Sequence, residues 1–215
     1  MPPKYTASSC KRSIHDNNVL GTLGSANNQL SGPLGIARDA TSGTLYIADS
    51  DNHRVMQYLS GASSGTVVAG GNGQGTGSTQ LSKPRGLHFD SATNSLLIAN
   101  NRAHNIIRWV IGASSWTLIA GSNSGVFGSS SMMLSFPTDI ILDPMGNMYV
   151  ADEGNQRIQF FLNSQSNGTT IAGTTGTTGS SSTLLNTPSG VAIDSSYNIY
   201  VIDYANARVQ KFFNY

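Results

Sequence analysis

The histidines are the side chains of this 215-residue sequence best suited to metal binding or proton transfer. There are four, at His15, His53, His88 and His104, and a single cysteine, Cys10. A zinc site needs three or four ligands in a closed arrangement, which isolated imidazoles do not supply. One cysteine excludes an intrachain disulfide and a multi-cysteine zinc site within this sequence. The sequence therefore predicts neither a metal nor another cofactor.

A second set of chemically capable residues pairs an aspartate with an arginine five positions later. Such pairs could polarise a substrate, but in a fourth, equivalent place both charges are absent, at Asn100 and Asn105. Stranding one partner of a half-buried pair costs roughly 3–5 kcal/mol, so joint loss indicates a structural ion pair. We predict no catalytic residue. The pairs are Asp49 and Arg54, Asp152 and Arg157, and Asp203 and Arg208.

These residues recur because the chain repeats itself four times. A Leu-x-x-Pro motif ends at Pro33, Pro84, Pro137 and Pro188, at spacings of 51, 53 and 51 residues. Short apolar stretches follow, rich in Val, Ile and Tyr and separated by Gly, Asn and Ser, which indicates a four-stranded antiparallel meander. The second stretch is apolar at successive positions, so both of its faces are buried, as in the stacked blades of a propeller. The repeats span 30–70, 81–121, 134–173 and 185–215.

The repeated motif resembles the NHL repeat. It reads Pro-x-Gly-apolar-x-x-Asp, then apolar-Tyr-apolar-Ala-Asp-x-x-Asn-x-Arg-apolar, and segments 49–54, 152–157 and 203–208 match its second half in full. The second unit departs from it at Asn100, Ala103 and Asn105. The resemblance implies an all-β fold, a β-propeller of four-stranded antiparallel blades with about four NHL-type repeats. It implies little about activity, because one fold hosts many functions.

The ends of the sequence bear on how the ring closes. The last unit stops after its third strand, and residues 18–23 resemble an orphan fourth strand. We expect them to close the last blade, with residues 1–17 as a poorly ordered N-terminal segment and 18–215 as the propeller. NHL propellers are more often six-bladed, so a piece of a larger ring is the alternative. We expect a monomer or a dimer that shares one ring.

Two groups of residues are candidates for the functional surface. The innermost strands should line a central channel, and Arg38, His88 and Asp139 break their pattern, although a harmless lining role competes with a functional one. The turns between second and third strands vary between units on one rim, which is typical of recognition loops. We expect a partner to bind there, at His53, Arg102, His104, Glu153 and Tyr204.

Composition limits the functions that remain. Twelve basic and eleven acidic residues give a net charge of +1, which argues against nucleic acid or anionic lipid as a partner. No stretch of 18 apolar residues and no signal peptide are visible, so we expect a soluble, by default cytoplasmic protein, with a truncated secreted one as the alternative.

The leading functional hypothesis is a noncatalytic scaffold that binds a protein or peptide through its rim loops. One alternative is a metal-dependent enzyme of lactonase or lyase type at the channel mouth. Another is an RNA-binding propeller or the substrate-recognition module of a ubiquitin-ligase-type protein. These alternatives are what the resemblance to the NHL family implies.

Overall fold

The computed structural model describes residues 22–213. The N-terminal segment 1–17 and residues 18–21 of the predicted closing strand lie outside this range. Of the two closing-strand residues inside it, Leu23 forms a parallel bridge to Leu30, at the entry to the first repeat. Gln74 and Thr178 form the same bridge to Leu81 and Leu185 before later repeats.

Four antiparallel sheets are arranged as the blades of a four-bladed propeller, which confirms the predicted all-β fold. Strands follow chain order from the innermost outward within each blade, and the last blade has three strands among the described residues. Blade 1 contains β1 (Pro33–Arg38), β2 (Leu45–Asp49), β3 (Arg54–Tyr58) and β4 (Thr66–Gly70). Blade 2 contains β5 (Pro84–Asp90), β6 (Ser95–Asn100), β7 (Asn105–Val110) and β8 (Thr117–Gly121). Blade 3 contains β9 (Pro137–Leu142), β10 (Met148–Asp152), β11 (Arg157–Phe161) and β12 (Gly168–Gly173). Blade 4 contains β13 (Pro188–Ile193), β14 (Ile199–Asp203) and β15 (Arg208–Phe212).

The innermost strands crowd together around the propeller axis, and glycine makes that approach possible. A Cβ on Gly35 of β1 would lie 1.9 Å from the Arg85 carbonyl oxygen of β5, and one on Gly86 would lie 2.6 Å from Asp139 Cα of β9. No side chain fits at such distances. The Gly of the Pro-x-Gly motif therefore serves backbone packing between blades.

Three hydrophobic clusters fill the spaces between consecutive blades. Each cluster joins the rear face of one blade to the front face of the next, with Val55 of blade 1, for example, packed in the same cluster as Leu87 and Ile98 of blade 2. Every residue of β6 is buried. The successive apolar positions of the second strands thus have the two-sided burial that their sequence predicts. Among residues 22–213 no helix is long and apolar enough to cross a bilayer.

A buried aspartate at the end of the second strand organises three of the blades. In blade 1, Asp49 Oδ1 accepts the backbone N–H of Ser31 at 2.6 Å, and Oδ2 accepts Arg54 Nε at 2.6 Å. The other guanidinium nitrogens donate to three carbonyls of the entry loop, those of Ser25, Ala26 and Gln29. The pair therefore ties the second and third strands to the loop that leads into the blade.

The same ties recur in blades 3 and 4. Arg157 Nε lies 2.8 Å from Asp152 Oδ2, and Arg208 Nε lies 2.7 Å from Asp203 Oδ2. Each arginine again donates to three entry-loop carbonyls, which belong to Ser129, Ser130 and Met133 in blade 3 and to Ser180, Ser181 and Leu184 in blade 4. All three pairs predicted from the spacing are thus ion pairs in the structure.

Blade 2 replaces the ion pair with neutral side chains and a distant tryptophan. Asn100 Oδ1 accepts the Ser82 N–H at 2.6 Å, while Asn105 Nδ2 donates to the Ser122 carbonyl at 2.5 Å. Asn100 thus keeps the bond to the entry-loop amide, but neither asparagine donates to the entry-loop carbonyls. Instead the Trp116 indole Nε1 donates to the carbonyls of Gly77 and Gln80, both at 3.0 Å. Trp116 therefore takes over part of the missing arginine's role.

The neutral arrangement in blade 2 predicts how far a blade tolerates the loss of its Asp–Arg ion pair. Arg157→Asn should lower the free energy of unfolding by about 3–5 kcal/mol, because it strands a buried carboxylate. The double variant Asp152→Asn, Arg157→Asn should recover only part of that loss, since blade 3 has Gly168 where blade 2 has Trp116. Urea denaturation of the purified chains measures both values.

Arg85→Asn is the matched control, because it breaks a partly exposed pair with Glu153 and should cost about 0–1 kcal/mol. A double variant as stable as the wild type would show that the loop carbonyls contribute nothing to the tie. A single variant that costs no more than the control would contradict the buried-pair account altogether.

Candidate functional site

Four short 3₁₀ turns lie at one end of the propeller and form its rim. They join the second and third strands of the blades at Ser50–Asn52, Asn101–Ala103, Glu153–Asn155 and Tyr204–Asn206. A residue in the left-handed conformation follows each turn, at His53, His104, Gln156 and Ala207. This conformation turns the chain back into the third strand.

The side chains that follow the turns link neighbouring blades. His53 Nδ1 accepts the Lys83 backbone N–H at 3.1 Å, and His104 Nδ1 accepts the Phe136 N–H at 3.1 Å. In blade 3 the Gln156 Oε1 atom takes the same place and accepts the Thr187 N–H at 2.7 Å. We call this bond the inter-blade latch. In blades 1 and 2 the acceptor of the latch is an imidazole nitrogen, which can accept a hydrogen bond only while the histidine is neutral.

A cavity of about 630 Å³ opens at the centre of the rim end. Its polar lining comes from Arg85, Asp139, Glu153 and Tyr204, together with Thr138, Thr187 and Ser189. Arg85 Nη1 lies 3.0 Å from Glu153 Oε2, and both side chains are partly exposed. This exchangeable ion pair sits at the cavity wall.

Asp139 places a partly buried carboxyl group in the lining of this cavity. It stands where the other innermost strands carry Gly35, Gly86 and Gly190. Its Oδ1 accepts its neighbour's N–H, that of Ile140, at 2.9 Å, and its Oδ2 accepts the Val191 N–H at 3.0 Å. Burial raises the pKa of the Asp139 carboxyl above its ordinary value. The carboxyl group therefore joins blades 3 and 4 beneath the cavity.

A second cavity of about 440 Å³ adjoins the first and shares Leu34, Arg85 and Glu153 with it. Asp51, Lys83 and Arg102 line its outer part, where Lys83 Nζ lies 2.5 Å from Asp51 Oδ1. Hydrogen bonding to Lys83 lowers the pKa of the Asp51 carboxyl. The two cavities form a continuous surface on which positive and negative groups alternate.

The structure separates the predicted rim residues into two groups. Arg102, Glu153 and Tyr204 line the cavities, whereas His53 and His104 form latches and line neither. Arg85 is a cavity residue that the sequence patterns did not indicate. The available signal was its charge at a position where the other repeats carry Leu34, Thr138 and Ser189.

The three channel candidates are also separated. Asp139 lines the central cavity, but Arg38 and His88 lie toward the far ends of their strands and line neither cavity. Burial lowers the pKa of the His88 imidazole. Within residues 22–213 no three His, Cys, Asp or Glu side chains are grouped so as to hold a metal ion.

Comparison with protein families supports the repeat assignment. The family model described as NHL repeat matches residues 30–58 and 185–212, which are parts of blades 1 and 4. The chain carries NHL repeats. No curated protein sequence matches it.

Solved structures with the same fold include proteins of very different activity. A gluconolactonase from Xanthomonas campestris superposes with a TM-score of 0.67 at 15% identity, covering 88% of this chain and 60% of the other. An auxiliary nutrient binding protein from Bacteroides thetaiotaomicron gives 0.62 at 19%, covering 82% and 46%. A chain of a nidogen/laminin complex gives 0.62 at 20%, covering 86% and 65%. This NHL-repeat chain thus spans between about half and two thirds of their lengths, and the likeness shows the fold alone.

The latch histidines predict a pH-dependent stability. Burial lowers the pKa values of His53 and His104 from the ordinary 6.5. At pH values between the pKa of the folded state and that of the unfolded state, the unfolded chain therefore binds more protons than the folded chain. The free energy of unfolding consequently falls as the pH decreases from about 7 through 6.5. Thermal unfolding between about pH 7.5 and 5 should show this decline.

The double variant His53→Gln, His104→Gln should flatten the decline, because Gln156 forms the same latch without titrating in this range. His88 should contribute to the slope that remains, since its pKa is also lowered. If the double variant kept the full pH dependence of the wild type, the latches would not be its source.

Proposed function

We propose that the chain is a noncatalytic recognition propeller that binds a protein or peptide at the rim. The observation that carries the proposal is the continuous pair of cavities at the rim end, lined by alternating charges beside an exposed aromatic ring. Tyr204 is 72% exposed in the last 3₁₀ turn and lines the central cavity. Exposed tyrosine is a favoured anchor residue in protein interfaces.

The charges of the rim suit a partner that carries both signs and backbone polar groups. The Arg85–Glu153 and Lys83–Asp51 pairs are partly exposed and screened by water, so each can exchange partners at little cost in stability. A peptide offers carboxylates, amines, carbonyls and amides in turn. The mixed signs favour such a partner over the uniform phosphate backbone of RNA.

A rigid frame holds these side chains. The buried Asp–Arg ties hold the rim turns of blades 1, 3 and 4, while the latches fix each of the first three blades to its successor. A surface that is already ordered loses less conformational entropy when a partner binds. The arrangement of polar loops on a fixed scaffold is typical of recognition proteins.

The rival function is an enzyme of lactonase or lyase type at the channel mouth. One specific observation favours it, namely Asp139, a partly buried carboxyl group with a raised pKa in the cavity lining. Such a group could donate or accept a proton. Both of its oxygens already accept backbone N–H groups of blades 3 and 4, which favours a structural role.

Selection from a phage-displayed random peptide library on the immobilised chain tests the proposal. We expect enriched peptides whose binding weakens at least about tenfold in Arg102→Ala and Tyr204→Ala, because truncating a central interface residue costs about 1–2 kcal/mol or more. Neither variant should lower the melting temperature, since both side chains are exposed. Binding to synthetic peptides is then measured by isothermal titration calorimetry.

Met145→Ala is the control, because Met145 is exposed in the turn between β9 and β10 at the opposite end of the propeller. Peptides that bind the control and the rim variants equally would contradict the rim as the binding surface. Turnover of glucono-lactone by the purified chain, lost in Asp139→Asn, would favour the enzyme instead.

A further inference from the structure

The rear face of blade 4 has the composition of a blade interface but packs on no blade among the described residues. Ile202 is 48% exposed and Val209 is 66% exposed. The equivalent residues of the other three blades are completely buried against the blade that follows. They are Ala48, Ala99 and Ala151, which correspond to Ile202, and Val55, Ile106 and Ile158, which correspond to Val209.

The front face of blade 1 is the matching half of such an interface. Ile36 in β1 is 63% exposed, whereas its counterparts Leu87, Ile140 and Val191 are buried against the preceding blade. Pro33 is likewise exposed, while the prolines that open β5, β9 and β13 are buried. β1 packs on β5, β5 on β9 and β9 on β13, but β13 makes no comparable contact with β1.

We propose that the rear face of blade 4 binds the front face of blade 1 of a second copy of this chain. A second copy fits these faces because the chain itself contains the same rear-to-front interface three times. Within residues 22–213 each copy has one unpaired face of either kind, and the net charge of +1 sets up little repulsion between copies. Such a contact is heterologous, because two different surfaces meet.

This interface between copies lacks the latch that the three internal ones possess. Ala207 stands where His53, His104 and Gln156 supply the acceptor, and Gly32 of the next copy would supply the amide in the place of Lys83, Phe136 and Thr187. A missing hydrogen bond weakens a contact without removing its apolar core. Association between copies is therefore weaker than the packing of blades within one chain.

Sedimentation velocity of the full chain over a range of concentrations tests this inference. The wild type should associate reversibly. Ile36→Arg and Val209→Arg should each reduce it to single chains, because every contact needs one intact front face and one intact rear face. An equimolar mixture of the two variants should restore a species of two chains and no larger one, since each variant keeps the face that the other has lost.

Two further variants sharpen the result. Ala207→Gln should strengthen association about fivefold by adding one latch, since one net hydrogen bond is worth about 1 kcal/mol. Gln is tolerated in this conformation, as Gln156 with φ of 60° shows beside 50° at Ala207. Leu162→Arg is the control, because Leu162 is an exposed apolar residue that follows β11 outside both faces.

Three results would overturn the proposal. A wild type that stays a single chain at every concentration would leave the faces to another partner, such as further blades or a different protein. Loss of association in Ile36→Arg alone would indicate front-to-front pairing. A mixture of the two arginine variants that does not recombine, although both melt like the wild type, would exclude rear-to-front contact. Ile36 and Ile202 also line the central cavity, so peptide binding at the rim is tested separately, by Arg102→Ala and Tyr204→Ala.

Discussion

The order of the rim depends on the hydrogen bonds of a buried aspartate at the end of the second strand, which recurs in blades 1, 3 and 4. The second strand must stop there, the chain must turn, and the entry loop of the same blade must pass close by. The aspartate meets all three needs, because one oxygen accepts the entry-loop amide and the other holds the arginine that caps the loop carbonyls. An arginine is suited to this because its five donors form a rigid fork. Its charge alone does not explain the motif, as the neutral solution in blade 2 shows.

The core and the rim of the propeller are therefore stabilised by different kinds of interaction. Apolar contact between blades supplies the bulk of the burial, but it is nondirectional and does not fix how far one blade slides against the next. The ties and latches are directional, and they lie at the end where the cavities open. The ties and latches therefore hold in place the partly exposed charged side chains of the rim, whose own ion pairs belong to neither. These side chains are Arg85, Glu153, Lys83 and Asp51. Their freedom to change partners is what a binding surface requires.

The sequence was sufficient for the architecture, because each repeat restates the same strand pattern and the same Asp–Arg spacing. The four blades and the three ion pairs could be predicted for that reason. The role of the latch histidines could not, because their partner is a backbone amide about 30 residues away and backbone amides leave no signature in side-chain identity. Trp116 did leave a signal, since it replaces Gly65 and Gly168 in the same unit that lacks the arginine. Its role as a donor to the entry-loop carbonyls, however, is visible only in the structure.

Amide hydrogen exchange tests most directly whether polar ties hold the rim. The informative amides are those that donate to the buried Asp or Asn oxygens and to the latch acceptors, at Ser31, Ser82, Ser135, Asn186, Lys83, Phe136 and Thr187. All lie outside the strands, in loops that would ordinarily exchange fast. The account predicts protection comparable to that of the central strands β6 and β10. Exchange at the rate of open loops, with the strands still protected, would contradict it.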